Sequence, residues 1–186
     1  KNILISNSTI SKTQIFISNK NNSETVVIDG CTLSETPAAG QRMFRWREAG
    51  LDNVTGGIMV KNTLWGTGWD EAAAGTTEYI GYEGLGTTTW TFDNTYTSSD
   101  LAFSTDTITG FDKSYAGLST ELWKSPLAGN LHFADTTFDG IGNAGDQRWA
   151  IGGAGVELEW NVSAAAFKNL GSLAATQKVA GLDIIA

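Results

Sequence analysis

Three arginines lie close together in this chain: Arg42, Arg45 and Arg47. Their type and spacing suggest proton abstraction from an acidic sugar. Arginine can act as the base that removes a proton beside a uronate carboxylate, and Ca²⁺ held by carboxylates can neutralise the acid. The nearby carboxylates that could bind such an ion are Asp52, Asp70 and Glu71. No dense cluster of Asp or Glu accompanies them, so an exposed, solvated arginine face is the alternative.

Aromatic residues near these arginines suggest a second kind of chemistry, carbohydrate binding. Trp and Tyr rings can stack on the apolar face of a sugar while Arg pairs with a uronate carboxylate. Three rings fall in Gly- and Thr-rich segments, 65–75 and 81–88, which we predict to be inserted loops. The alternative is core packing, since Trp is usually highly buried. The predicted carbohydrate-binding residues are Trp46, Trp65, Trp69, Tyr82, Arg45 and Arg47.

Other catalytic arrangements find less support. Asp29 and Asp93 occupy equivalent positions in two repeats and could provide the two facing carboxylates of a glycoside hydrolase, but Asp also favours turns. His132 is the only histidine and Cys31 the only cysteine. One Cys and one His do not supply the four ligands of a structural zinc site. We therefore predict no catalytic residue and no bound metal, with calcium as the cofactor only if the chain is a lyase.

The elements that must position these side chains are indicated by a repeat. Four segments share an apolar β-rich run followed by a small or polar pair, then Thr and an apolar residue: 3–10, 26–33, 58–64 and 90–96. Their threonines, at 9, 32, 63 and 95, are 23, 31 and 32 residues apart. Such spacing is typical of repeat folds whose stacked units bury a shared core. We predict that the four threonines mark one corner of a coil of parallel strands.

Segment 43–47 alternates apolar and charged residues, which predicts a strand with Phe44 on one face and Arg45 and Arg47 on the other. Towards the C-terminus, segment 151–155 is rich in Gly and Ala and predicts a linker. A strand is expected over 178–185. The predicted organisation is a β-helix module over 1–150, then a linker and the start of a following β-rich domain or capping segment over 151–186. Because the chain opens inside a repeat strand, we expect it to be part of a larger protein.

Composition narrows the range of partners. The chain has 186 residues and a net charge of −8, which disfavours nucleic acid because phosphate binding requires clustered Lys and Arg. It contains no apolar run of the roughly 20 residues needed to span a bilayer. Composition thus favours a neutral or locally recognised partner, and the aromatic residues described above make a polysaccharide, neutral or acidic, the expected one.

The repeat resembles those of right-handed parallel β-helix proteins of the pectate-lyase-like class. A more specific resemblance lies in four ordered segments: 108–111, 119–126, 129–133 and 145–149. They are similar to the C-terminal β-helix module of secreted, pectate-lyase-like proteins of Bacteroidota polysaccharide-utilisation loci, a family without an assigned activity. Gln147 stands where that family usually has proline. Trp123 and Trp149 belong to these segments, and we assign them to packing.

The resemblance implies an extracellular or outer-membrane-surface location and plant-type polysaccharide as the substrate class. The expected fold is all-β, a right-handed parallel β-helix segment with a short β-rich C-terminal extension. The expected function is non-catalytic handling or binding of polysaccharide within a larger protein. Two alternatives stay open: a fragment of a calcium-dependent polysaccharide lyase, and a structural stalk or adhesin repeat.

Overall fold

The computed structural model describes residues 1–47, 53–69 and 79–150, together with two short strands near the C-terminus. The described chain is all-β with parallel sheets, as predicted. Its first strands are β1 (Asn2–Ser6), β2 (Thr9–Ser11), β3 (Ile17–Asn19), β4 (Thr25–Asp29), β5 (Thr32–Ser34), β6 (Arg42–Trp46), β7 (Ile58–Lys61), β8 (Leu64–Trp65), β9 (Tyr79–Glu83), β10 (Trp90–Asp93), β11 (Tyr96–Ser98), β12 (Phe103–Thr105) and β13 (Lys113–Tyr115). A short helix follows, α1 (Ser119–Leu122), then the hairpin strands β14 (Trp123–Ser125) and β15 (Asn130–Phe133), and 3₁₀ turns at Pro126–Ala128 and Gln147–Trp149.

Strands β1 to β13 form three parallel sheets that the chain visits in a fixed order. Sheet 1 has the order β1-β4-β7-β10, sheet 2 has β13-β11-β8-β5-β2, and sheet 3 has β12-β9-β6-β3. One strand in each sheet makes one circuit, and the described chain completes four circuits before β13 joins sheet 2. Strands that are neighbours in a sheet therefore come from successive circuits.

A left-handed backbone corner joins each strand of sheet 1 to the next strand of sheet 2. Asn7, Gly30, Asn62 and Asn94 occupy it, with φ values of 47°, 64°, 47° and 52°. Asn and Gly tolerate this region better than other residues. The Asn62 amide donates to Asp29 Oδ1 at 2.9 Å, and the Asn94 amide donates to Asn62 Oδ1 at 3.0 Å. The corner residues thus link three circuits through their side chains.

The strand register corrects the predicted alignment of the four threonines. Thr9 pairs with Thr32, but Thr32 pairs with Leu64 and Leu64 with Tyr96. Thr63 and Thr95 therefore stand one position earlier in their circuits than Thr9 and Thr32. Both are fully buried and donate to backbone carbonyls, Thr63 to Lys61 O and Thr95 to Val60 O. The repeat is real, but the backbone feature that recurs in all four circuits is the left-handed corner.

Sheet 2 separates two apolar cores. The larger core lies among the three sheets and includes Val26, Ile28, Phe44 and Trp65. A second core lies on the other side of sheet 2, where Leu64 and Tyr96 meet apolar residues from segment 122–144. Trp123 is fully buried there and Trp149 packs against this core, so their assignment to packing is confirmed.

After the fourth circuit the chain omits sheet 1. Residues 106–112 run directly from β12 to β13. Within the described part of the chain, sheet 1 therefore has no fifth strand, and β10 is its edge strand. Ile108 is buried in the larger core and Phe111 packs against it, with its ring centroid 4.4 Å from that of Phe92. The Asp112 carboxylate accepts from the N–H groups of Asn94 and Thr95. This crossing segment closes part of the core at that end.

The segment after β15 returns along the outside of sheet 2 and touches the circuits in reverse order. Asn143 O accepts from Asn94, and Gly145 N donates to Asn62 O. Asp146 N donates to Thr32 Oγ1, and Trp149 Nε1 donates to Thr9 Oγ1 at 2.6 Å. We call residues 143–149 the strap. Gly145 has φ +80° and a Cβ there would lie 2.7 Å from Leu64 Cδ1, so the strap requires glycine at this position.

Residues Lys1–Gly153 form one compact unit and Ala154–Ala186 a second. The described elements of the second unit are β16 (Gln177–Val179) and β17 (Leu182–Ile184), which pair antiparallel. The single strand expected over 178–185 is therefore two short strands.

Candidate functional site

The outer face of sheet 3 brings the predicted arginines together. Phe44 is fully buried and Arg45, the next residue, is on the opposite side of β6 with its side chain 22% exposed. Arg47 is exposed just beyond the strand. The predicted alternation is confirmed over 44–47. It is interrupted at the start of β6, where Met43 and Phe44 are both fully buried.

A carboxylate that the sequence did not reveal organises this face. Arg45 pairs with Glu83 across β6 and β9. Glu83 Oε2 lies 3.1 Å from Arg45 Nε and 2.6 Å from Arg42 Nε, so one carboxylate holds two guanidinium groups. We call Arg42, Arg45, Arg47 and Glu83 the arginine face. Three cations and one anion give this surface a formal charge of +2, opposite in sign to the chain as a whole.

Two of the predicted sugar-stacking rings lie in the core. Trp46 is 2% exposed and Trp65 is 1% exposed, so neither presents a ring face to a ligand. Trp65 belongs to β8 rather than to a loop, and its ring packs edge-on against Phe111 and Phe92. The physical reason is that both side chains point inward from a strand, because burying an indole in the core stabilises the fold more than leaving it exposed in a loop. The stacking role predicted for Trp46 and Trp65 is wrong.

The other two rings are partly exposed. Trp69 forms a bridge with Ala38, and its carbonyl accepts from Ala39 N at 2.7 Å. Ala38 lies at the corner that leads from sheet 2 into sheet 3, four residues before Arg42. Its bridge with Trp69 places Trp69 at the same corner, on the neighbouring circuit. Tyr82 lies in β9 beside Glu83, which corrects the predicted loop over 81–88 at its first residues. Its ring packs against the larger core, 6.2 Å from that of Trp90.

The remaining candidates serve local structure. Asp29 and Asp93 do share one row of sheet 1, but Lys61 stands between them and its Nζ lies 3.2 Å from Asp29 Oδ2. His132 is partly buried with its ring edge-on to Trp149 at 5.1 Å. Cys31 is buried, and burial raises the pKa of its thiol, which disfavours the reactive thiolate.

Within residues 1–47, 53–69 and 79–150, no group of three or more His, Cys, Asp or Glu side chains is arranged to hold a metal ion. The calcium ligands considered for a lyase, Asp52, Asp70 and Glu71, lie outside the described residues.

Comparison with known proteins gave no relative: no family model, no curated protein and no solved structure matches this chain. Within the described part of the chain, no helix has the length and apolar character required to cross a membrane.

Proposed function

We propose that this chain is an extracellular, non-catalytic module that binds a carboxylate-bearing, plant-type polysaccharide on its arginine face. We further propose that its three sheets are the faces of a right-handed parallel β-helix. The fixed order in which the chain visits the sheets supports that fold, because a coil of one strand per face per turn produces the same order. The extracellular or cell-surface location follows from the family resemblance.

The observation that carries the proposal is the Arg42–Glu83–Arg45 cluster with Arg47 exposed beside it. Arginine presents several N–H donors in one plane, which suits a carboxylate ligand. Glu83 contacts both guanidinium groups at Nε, so it restricts their orientation before a ligand arrives. Restricting side chains in advance reduces the entropy lost on binding.

The partly exposed Trp69 ring supports a sugar rather than a simple anion. A pyranose has apolar C–H faces that stack on an indole, and its hydroxyl groups hydrogen-bond to polar side chains. Trp69 lies at the corner where the arginine strand of sheet 3 begins. A chain of sugar units, rather than one sugar, would extend from that corner along the arginine face.

Calorimetric titration with a galacturonate oligosaccharide and with its methyl-esterified counterpart tests the proposal. We expect the acid to bind and the ester, which lacks the charge, to bind more weakly. Arg47→Ala should weaken binding of the acid about ten-fold, the effect of losing a charge-assisted hydrogen bond, and Arg47→Lys should recover only part of it. Lys113→Ala is the matched control, because it removes an exposed cation from β13 instead.

The same titration, with ultraviolet absorbance recorded in parallel, distinguishes the alternatives. An ultraviolet-absorbing unsaturated product that requires Ca²⁺ and disappears in Arg45→Ala would identify a lyase. Absence of binding to either oligosaccharide would favour a structural stalk. Equal affinity for the acid and the ester would overturn the role of the arginine face.

A further inference from the structure

A separate cavity lies at the corner between sheet 3 and sheet 1, and it does not include the arginine face. Its volume is about 280 Å³, and the residues that line it are Val54, Thr55, Thr87, Thr88 and Thr89. Val54 and Thr88 are buried at 1% and 9% exposure, while the other three threonines are exposed. The cavity therefore has a buried floor and threonine walls.

Backbone hydrogen bonds within each of two circuits, and one between them, fix the shape of this cavity. Ile58 N donates to Thr89 O, Gly57 N donates to Val54 O, and Thr88 N donates to Leu85 O. Gly57 has φ +87°, and a Cβ at this position would lie 3.0 Å from Thr89 O. Glycine is thus what allows the two circuits to approach here. The walls are held by the backbone rather than by mobile side chains.

The lining determines which ligand chemistry fits. Each threonine offers a hydroxyl, which is one donor and two acceptor positions, beside a methyl group. None of the described residues that line the cavity is charged, so among them an ionised ligand would find no counter-charge. The hydroxyl oxygen of Thr88 is enclosed and has no hydrogen-bond partner. An unsatisfied buried hydroxyl is costly unless a ligand or water completes its bonding.

We propose that this cavity binds a single neutral sugar unit, a pyranoside with no charged group. Its volume is just below the roughly 300 to 1,000 Å³ of sites for drug-sized ligands, so it suits one ring rather than a chain. Threonine methyl groups would contact the C–H faces of the ring, and threonine hydroxyls would bond its hydroxyls. This site is independent of the arginine face and would exist even if that face bound nothing.

Titration with methyl β-galactoside and methyl β-xyloside, followed by ligand-observed NMR and calorimetry, tests the proposal. We expect affinity in the millimolar range, as is usual for ligands of this size. Thr88→Val and Thr55→Val keep the side-chain shape and remove a hydroxyl, and each should weaken binding about three- to ten-fold. Thr91→Val, which removes an exposed hydroxyl from β10 outside the cavity, should leave binding unchanged.

Thr88→Val has an advantage as a probe, because the hydroxyl it removes has no partner to lose. The folded state should therefore persist, as shown by an unchanged circular dichroism spectrum. If neither pyranoside binds, or if Thr88→Val and Thr55→Val bind as tightly as the parent chain, the proposal is overturned. Arg47→Ala separates the two sites: it should not affect pyranoside binding, whatever it does to the galacturonate oligosaccharide.

Discussion

Asp146 is the residue on which attachment of the strap depends. It is 3% exposed and accepts from Thr9 Oγ1 at 2.7 Å and from Arg148 Nε at 3.0 Å. Burial would raise the pKa of the Asp146 carboxyl, but the hydrogen bonds from Arg148 and Thr9 outweigh it and lower that pKa. The carboxylate is thus held ionised and links the strap to Thr9 of the first circuit.

We expect Asp146→Asn to lower the free energy of unfolding by about 2 kcal/mol, because hydrogen bonds to a charged acceptor are among the stronger ones. Urea unfolding monitored by tryptophan fluorescence measures the change. Asp106→Asn is the matched control, since Asp106 is exposed and Asn accepts its φ of 44°. A loss in Asp146→Asn no larger than in the control would show that the strap does not depend on this carboxylate.

The same carboxyl gives an acid-side prediction. Its pKa is lower in the folded state than in the unfolded chain, so its contribution to stability is present above the unfolded value, about 4, and is lost as pH falls through the folded one. Stability measured from pH 6 downwards should therefore fall less steeply in Asp146→Asn than in the parent chain. Parallel curves for the two proteins would contradict this assignment.

Tyr115 gives the corresponding prediction at high pH. Burial, the hydrogen bond from its hydroxyl to Asp135 Oδ2 and the charge of Asp135 raise the pKa of Tyr115 to about 12. Because the pKa is raised in the folded state, the contribution of the protonated Tyr115 hydroxyl to stability is complete below pH 10, the ordinary pKa of tyrosine. It is lost as pH rises towards 12. Absorbance near 295 nm should show a late-titrating tyrosine that is missing in Tyr115→Phe. Titration of all four tyrosines near pH 10 would refute the prediction.

At the scale of elements, the left-handed corner sets the register between sheets 1 and 2. Asn62 has φ 47°, and its side chain both donates to Asp29 and accepts from Asn94. A residue with a Cβ and no local hydrogen bond pays about 1–2 kcal/mol in this conformation. Backbone strain and side-chain bonding can therefore be separated by substitution.

We predict that Asn62→Ala costs about 2–3 kcal/mol of unfolding free energy and Asn62→Gly about 1 kcal/mol. Both variants lose the side-chain hydrogen bonds, but only alanine adds left-handed strain. Equilibrium denaturation of the two variants side by side measures the difference. Equal losses, or a larger loss for glycine, would mean that the corner is not held by its backbone conformation.

The sequence predicted the elements better than the positions within them. The strands and the two faces of β6 followed from β-branched runs and period-two alternation, which are local properties, and the parallel arrangement followed from the spacing of the repeat. The alignment of Thr63 and Thr95 with Thr9 and Thr32 failed because hydrogen-bond register is set between circuits and leaves no mark in one segment. Asn7, Asn62 and Asn94 carried the better signal, since only a few residue types tolerate positive φ.

The site was predictable only in part for the same reason. Arg45 and Arg47 could be assigned to a solvent-facing side of their strand, but Glu83 lies far along the chain and meets Arg45 only through register. Trp65 sits between Leu64 and Gly66, a local sequence that reads equally as loop or strand. Its burial depends on Phe92 and Phe111 from later segments.

At the scale of the whole molecule, the net charge of −8 has the same sign as the proposed ligand, whereas the arginine face has the opposite sign. The chain carries 20 acidic and 12 basic residues, so a polyanion is repelled at long range and attracted only locally. At 0.1 M ionic strength, interactions between exposed charges more than about 10 Å apart are largely screened.

We therefore expect NaCl to weaken binding of the galacturonate oligosaccharide. Pyranoside binding in the cavity lined by Val54, Thr55 and residues 87–89 should be unchanged. Calorimetric titrations at low and high salt measure both effects on one preparation. If salt affects the two ligands equally, the assignment of a charged site and a neutral site is wrong.

Side-chain NMR of the ¹⁵N-labelled chain tests most directly whether the arginine face contacts the polysaccharide. On addition of the galacturonate oligosaccharide, the Nε–H signals of Arg42 and Arg45 and the Nε1–H signal of Trp69 should shift, while those of the buried Trp46 and Trp65 should not. Shifts confined to Arg148 and Trp149 of the strap, with the arginine face unmoved, would contradict that contact.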